Sequence, residues 1–148
     1  MKFNYKFEKI LNLKAQEKDS VLKQYEEAKS IFENVANKLY EYLLKKEELI
    51  NTQENLLLDG LTIYEIKQQQ LYIQNIEKLI SDFQTRVIEA RHNMQMQEQI
   101  LIEKNIEVKK YEIMKDKSFV SYLEQIKLLE NTQMDEISIQ QHLNKANR

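Results

Sequence analysis

The stretch Leu56-Leu57-Leu58-Asp59-Gly60-Leu61-Thr62-Ile63-Tyr64-Glu65-Ile66 decides the fold. Gly60 is the only glycine in 148 residues, and the chain contains no proline. Lacking a Cβ, glycine is the usual residue for the left-handed position that ends a helix. Just beyond it, Thr62 and Glu65 have the spacing of a capping box, in which each side chain satisfies the other residue's backbone N–H. Leu61 before the cap and Ile66 at the fourth helical position fit a hydrophobic staple. A stop signal and a start signal side by side read as a tight helical hairpin whose turn is built on Gly60, Thr62 and Glu65.

Both flanks of this turn carry seven-residue periodicity. Before it, Phe7, Lys14, Val21, Ala28, Val35, Tyr42, Leu49 and Leu56 recur at heptad spacing, with Lys14 the single polar member. After it come Ile66, Ile73, Ile80, Val87, Met94, Leu101, Val108, Lys115, Tyr122 and Leu129, with Lys115 the single exception. Such sustained spacing marks coiled-coil helices. The companion positions read as Ile10 and Ile31 on the first helix, and Ile76, Phe83, Ala90 and Tyr111 on the second. Gln24, Gln69, Gln97 and Lys104 interrupt them, so the seam should be locally polar.

The expected fold is all-α: a long two-helix antiparallel coiled-coil hairpin with a C-terminal helical overhang. Its parts are a first coiled-coil helix (1–58), a hairpin turn (59–62), a second coiled-coil helix (63–117) and a helical extension or tail (118–148). The first helix, from about Tyr5, would be ~80 Å long at 1.5 Å per residue. Folding about Gly60 brings together residues whose numbers add to about 120, as in any antiparallel pair: Leu49 near Leu71, Val35 near Thr85, Val21 near Gln99, Phe7 near Ile113. At that register the tail from Ser118 has no partner within the chain.

Composition agrees. Hydrophobic residues make up 42% and charged residues 31%, and the near-absence of turn formers excludes loop-rich β and α/β folds. With no cysteine, disulfides, cysteine-based zinc sites and thiol catalysis are excluded. The N-terminus lacks the apolar core of a signal peptide, and no window is apolar enough to span a membrane. A cytoplasmic protein with no transmembrane segment is the expectation.

Charge is unevenly placed. Residues 1–24 carry six lysines against three acids, and residues 104–117 carry five against three. Between 47 and 65 there are five acids and no base. Folding at Gly60 would place the basic stretches together and the acids at the turn.

Catalytic chemistry finds no support in these residues. The two histidines, His92 and His142, lie far apart in sequence. Glu89-Ala-Arg-His92 has the Glu-x-x-His spacing of di-iron bundles, but such sites need two copies and two further glutamates; a solvated histidine on a helix flank is the simpler reading. There is no glycine-rich phosphate loop, and no cofactor is expected. Net charge is −2 and no stacking motif accompanies the lysines, so nucleic acid is not an expected partner. The apolar stripe, by contrast, is wider than one partner helix needs. Tyr72 and Leu79 fall on a shoulder and form an i, i+4, i+7, i+11 line with Ile76 and Phe83; Phe32, Leu39, Tyr40, Leu43 and Leu44 are surplus on the first helix. A shifted heptad explains this, and so does a face that docks another protein.

Four stretches taken together resemble a known family. They are Phe3-x-x-x-Phe7-x-x-Ile10-Leu11-x-Leu13-Lys14-x-x-Glu17-Lys18-Asp19; Gly60-Leu61-Thr62-Ile63 running into Gln69-Gln70-Leu71-Tyr72-Ile73-Gln74-Asn75-Ile76-Glu77-Lys78; Lys104-Asn105-Ile106-Glu107-Val108-Lys109-Lys110-Tyr111-Glu112-Ile113-Met114; and Met134-Asp135-Glu136-Ile137. In this order around the single glycine they resemble the flagellar export protein FliJ family, in its Bacillus-type form. The resemblance implies a non-enzymatic helical hairpin of the flagellar type III export apparatus, similar to the rotor subunit of rotary ATPases. It implies that the paired termini sit in the flagellar export ATPase hexamer and that one face contacts the cytoplasmic part of the membrane export gate protein. Flagellar export chaperones are further implied partners, and the cytoplasmic face of the cell membrane at the flagellar base is the implied location.

Carried onto this chain, the gate-binding line falls on Tyr72, Ile76, Leu79 and Phe83, with Lys38, Tyr42, Lys45 and Leu49 as the matching first-helix positions. Leu79, Phe83 and the two lysines depart from what relatives show there. Electrostatics suggests the ATPase-ring contact: Lys2, Lys6, Lys9, Lys14 and Lys18 converge with Lys104, Lys109, Lys110, Lys115 and Lys117, and opposite charge would steer that end to its partner. The rival readings are a self-associating coiled-coil scaffold or holdase-type chaperone, and the equivalent subunit of a virulence type III secretion system.

Overall fold

The computed structural model describes residues 2–146. Two helices, α1 (Glu8–Asp59) and α2 (Ile63–Ala146), pack antiparallel as an all-α hairpin, with no strand among the described residues. The reversal is made as the turn sequence dictates. Gly60 has φ +89°, in the region that only glycine enters without strain, and a Cβ there would meet nothing within 4 Å. The Glu65 N–H donates to Thr62 Oγ1 at 3.2 Å and the Thr62 N–H to Glu65 Oε2 at 3.4 Å. The Ile66 N–H closes the first turn on the Thr62 carbonyl at 3.1 Å. Leu61 and Ile66, the staple pair, are both half-buried.

The hairpin comprises two compact units. A terminal unit joins Met1–Lys18 to Glu103–Arg148, and a turn unit comprises Asp19–Ile102. In the turn unit Val21, Ala28, Val35, Tyr42, Leu49 and Leu56 are all buried or half-buried, as are Ile66, Ile73, Ile80, Val87, Met94 and Leu101. The companion series on α2 is also as expected, running through Gln69, Ile76, Phe83, Ala90 and Gln97. On α1 it is displaced by one. Ile31 is 55% exposed and Gln24 is exposed, while Tyr25, Phe32, Leu39, Lys46 and Gln53 turn inward. The displaced series alternates with the main one at intervals of four and three, which is what keeps a seam on one side of a helix.

Ion pairs and ring contacts fix the register. Lys46 Nζ meets Glu77 Oε1 at 3.5 Å, and the Tyr42 and Phe83 rings lie 5.3 Å apart in the turn unit. Lys14 meets Glu107 at 3.3 Å and Lys115 meets Glu8 at 3.0 Å in the terminal unit. These partners' numbers add to slightly more than the expected sum, because Gly60, Leu61 and Thr62 all lie outside the helices and the chain reverses about Leu61. The four partners expected on α2, Leu71, Thr85, Gln99 and Ile113, are accordingly exposed.

The terminal unit departs from the sequence reading at its start. α1 begins at Glu8, not Tyr5, and residues 2–7 are non-helical. They are held by aromatic rings: Phe3 packs on Phe119 (5.2 Å) and Tyr122 (5.4 Å), and Phe7 packs on Tyr5 (5.9 Å) and Tyr111 (6.4 Å). Tyr5 is buried with Leu11 and Val108, and its hydroxyl donates to the Tyr111 carbonyl at 3.0 Å. Ile10, expected in the seam, is partly exposed, and Leu11 takes its place. Helix α2 runs through positions 117 and 118 without a break. The expectation that Ser118 onward has no partner in the chain is corrected by Phe3, which covers Phe119 and Tyr122. Beyond Ile126 every described residue is exposed, Leu129 among them.

Candidate functional site

The ten lysines proposed for a partner all belong to the terminal unit, yet they are not equivalent. Lys14 and Lys104 alternate with Glu17 and Glu107 in a closed ring of four charges. Lys14 lies 3.6 Å from Glu17 and 3.3 Å from Glu107; Lys104 lies 3.5 Å from Glu17 and 3.8 Å from Glu107. Lys115 pairs with Glu8. These are the lysines that interrupt the heptads, and the interruptions are explained: each seam lysine finds carboxylates on both helices or on the facing one. Hydrogen bonding to Glu107, reinforced by the charges of Glu107 and Glu17, raises the Lys14 pKa above its ordinary 10.5. Three of the ten cations are thus occupied within the hairpin.

Of the remainder, Lys2, Lys6, Lys9, Lys109, Lys110 and Lys117 are exposed and Lys18 is half-buried. Lys6 leans its ammonium over the Phe7 ring at 5.6 Å. Lys2, Lys6 and Lys117 line an open groove of about 540 Å³ together with Phe3, Tyr122 and the polar Asn4, Ser118, Ser121 and Gln125. Three cations and no acid on one groove make a surface suited to carboxylates.

In the turn unit the line of four separates. Ile76 and Phe83 are 5% and 8% exposed and lie in the seam, with Phe83 covered by Tyr42 on one side and by the Arg86 guanidinium at 4.8 Å. Tyr72 is exposed, and Leu79 is partly exposed. On α1, Lys38 and Lys45 are exposed, and Tyr42 and Leu49 are half-buried. Lys38 and Lys45 follow the core residues Val35 and Tyr42 by three positions, while Tyr72 and Leu79 precede Ile73 and Ile80 by one. In an antiparallel pair these positions border the same side of the seam. Tyr72 and Leu49 also share an open groove of about 490 Å³ beside the turn, lined by Leu56, Leu61, Glu65, Gln68 and Gln69. Phe32 and Leu39, counted as surplus from sequence, belong to the seam, with Arg91 over the Phe32 ring at 5.6 Å.

The aromatic clasp of the N-terminus was not anticipated. Its signal was the alternation Phe3-x-Tyr5-x-Phe7, a period of two that fits an extended segment better than a helix. Glu89, His92 and His142 are exposed. Among the described residues no three His, Asp or Glu side chains converge to hold a metal ion, and no helix is long and apolar enough to cross a membrane.

Comparison with known proteins gives a consistent result. The family model for the flagellar FliJ protein matches residues 2–147. A curated relative, the flagellar FliJ protein of Bacillus subtilis (strain 168), is 41% identical over 143 residues, which is 97% of this chain and 97% of the relative. No solved structure matches the chain.

Proposed function

The chain belongs to the flagellar FliJ family, and from that premise we propose that it is a non-enzymatic subunit of the flagellar type III export apparatus whose two units bind different partners. The terminal unit enters the export ATPase hexamer and promotes its turnover. The observation that carries this reading is the division of the lysines: three are consumed in holding the helices together, and the exposed ones, above all Lys2, Lys6 and Lys117, offer cations to a partner. Basic surface steers an acidic partner and speeds its capture, with a strong dependence on ionic strength.

The turn unit contacts the cytoplasmic part of the membrane export gate through Tyr72 and Leu79, bordered by Lys38 and Lys45. Ile76, Phe83, Tyr42 and Leu49 support that face from within the seam rather than touching the partner. Binding to the gate gives the protein a peripheral place at the cytoplasmic face of the membrane, and escort of export chaperones completes the role.

The test is ATPase stimulation and co-purification. Charge reversal at Lys2, Lys6 and Lys117 should lower stimulation several-fold at low salt and leave gate binding intact. Tyr72→Ala with Leu79→Ala should do the opposite. A stable homodimer that binds neither partner would favour the scaffold reading.

A further inference from the structure

Helix α1 carries a second heptad series beside the one it buries against α2. Ala36, Leu43, Ile50 and Leu57 each follow a seam residue by one position. Ala36 is half-buried, and Leu43, Ile50 and Leu57 are 44%, 36% and 49% exposed. In a two-stranded coiled coil the position beside the seam usually carries charge. Apolar residues there widen the stripe to the width found on helices that face more than one neighbour.

Along the outer border of this stripe runs another series at the same interval: Glu33, Tyr40, Glu47 and Glu54, all exposed. The three glutamates form no ion pair among the described residues; the carboxylates that do are Glu8, Glu17, Glu77 and Glu107. On the inner border, Glu77 of α2 reaches over to Lys46. The stripe lies wholly within the turn unit. From Ala36 to Leu57 it is ~30 Å long, about the length of a six-turn helix.

The geometry points to this stripe as a docking groove for a third helix, supplied by another protein, with apolar residues at heptad spacing and lysines or arginines along its flank. Charge selects that occupant. A second copy packed antiparallel on the same face would set Leu43 opposite Ile50 and so bring Glu47 against its own counterpart, a like-charge contact at the centre of a two-fold interface. An anionic lipid surface would be repelled by the same glutamates. A basic amphipathic helix satisfies the apolar stripe and the acidic border together. The site is independent of the gate reading, because it lies on the other side of the seam from Tyr72 and Leu79.

The probe is a labelled synthetic helix with leucine at heptad positions and lysine on its flanks, titrated with the full-length protein by fluorescence anisotropy. An otherwise identical peptide with glutamate on its flanks is the comparison. The lysine peptide should bind at least tenfold more tightly than the glutamate peptide, and added salt should weaken it. Leu43→Ser with Ile50→Ser should weaken binding at least tenfold, as should Glu47→Lys with Glu54→Lys; circular dichroism should show helix content retained in both. Tyr72→Ala with Leu79→Ala should leave it within twofold. Equal binding of the two peptides overturns the proposal. So does loss of binding in the Tyr72/Leu79 variant equal to that in the Leu43/Ile50 variant, or a stable dimer of the wild type that the Leu43/Ile50 variant dissolves.

Discussion

The terminal unit and the turn unit use the same two helices but hold them together by different means. In the terminal unit the seam is short and mixed: four charges in a ring, a further pair between Lys115 and Glu8, and the hydroxyl of Tyr5, in the non-helical segment before α1, bonded to a backbone carbonyl of α2. In the turn unit the seam is longer and mostly apolar, with Lys46–Glu77 as its cross-helix ion pair. Two seam glutamines there, Gln69 and Gln97, bury side-chain oxygens that find no hydrogen-bond partner. Apolar heptads bind strongly but tolerate sliding by whole heptads, whereas paired polar groups are satisfied in only one register. The difference teaches a division of labour: the turn unit supplies the larger share of buried apolar contact, and the terminal unit supplies most of the paired charges that select the alignment.

The largest expected effect lies in the turn unit. Phe83→Ala removes a buried ring clasped between Tyr42 and Arg86 and should cost about 3 kcal/mol, read as a lower urea midpoint. If the loss is no greater than that from a surface alanine, the turn unit is not where apolar contact stabilises the hairpin. Gly60→Ala comes next. Nothing crowds the added methyl, so the cost is the left-handed backbone alone, about 1–2 kcal/mol. The effect should show as faster hydrogen exchange near residues 56–66, with protection around Tyr5 and Val108 unchanged.

Gln97→Leu sharpens the contrast from the other side. Replacing a buried, unpartnered amide oxygen by an apolar group should raise stability by about 1 kcal/mol. An equivalent change in the terminal unit, Lys104→Leu, should not, because it strands Glu17 and Glu107 beside a single lysine.

Much of this organisation was legible in the sequence, and the failures have physical causes. Gly60, Thr62 and Glu65 announced the turn because cap chemistry is local: each residue's role depends only on its neighbours three or four positions away. The Phe7 and Ile66 series announced the seam because periodicity survives any detail of packing. The companion series on α1 did not, since apolar residues occupy both candidate positions in the pairs Ile10/Leu11 and Ile31/Phe32. Which member turns inward is settled by the facing helix, and that is not written in α1. On α2 the companion series put Ile76 and Phe83 in the seam, where they lie, so the line they share with Tyr72 and Leu79 crosses the border of the buried face. Spacing shows that residues share a broad face but not where the edge of burial falls, and here the edge runs between them. Counting lysines gave the basic region, but the loss of Lys14, Lys104 and Lys115 to internal pairs depends on a register that only the packed helices reveal.

The smallest expected effect is on alkaline stability, and it belongs to the terminal unit. Burial first, then the nearby Tyr111 and Glu8, raises the Tyr5 pKa above its ordinary 10.0, although Lys115 works the other way. Lys14 is raised above 10.5, chiefly by its hydrogen bond to Glu107. Both shifts mean that the folded chain holds a proton more tightly than the unfolded chain does. The stability they contribute is therefore complete below pH 10 and is lost as pH climbs through the raised values. Two chemical events follow: tyrosinate cannot donate to the Tyr111 carbonyl, and a neutral Lys14 leaves the charge ring one cation short. A tyrosine absorbance titration, run beside thermal melts from neutral pH to beyond 10.5, should show the Tyr5 phenol titrating late and a falling melting temperature over the same interval. Tyr5→Phe should remove the late titration and flatten part of the fall, and Lys14→Met should flatten another part. If the melting temperature of wild type and both variants declines in parallel, these two protons do not fasten the terminal unit, and its alignment rests on the aromatic clasp of Phe3, Phe7, Tyr111 and Phe119.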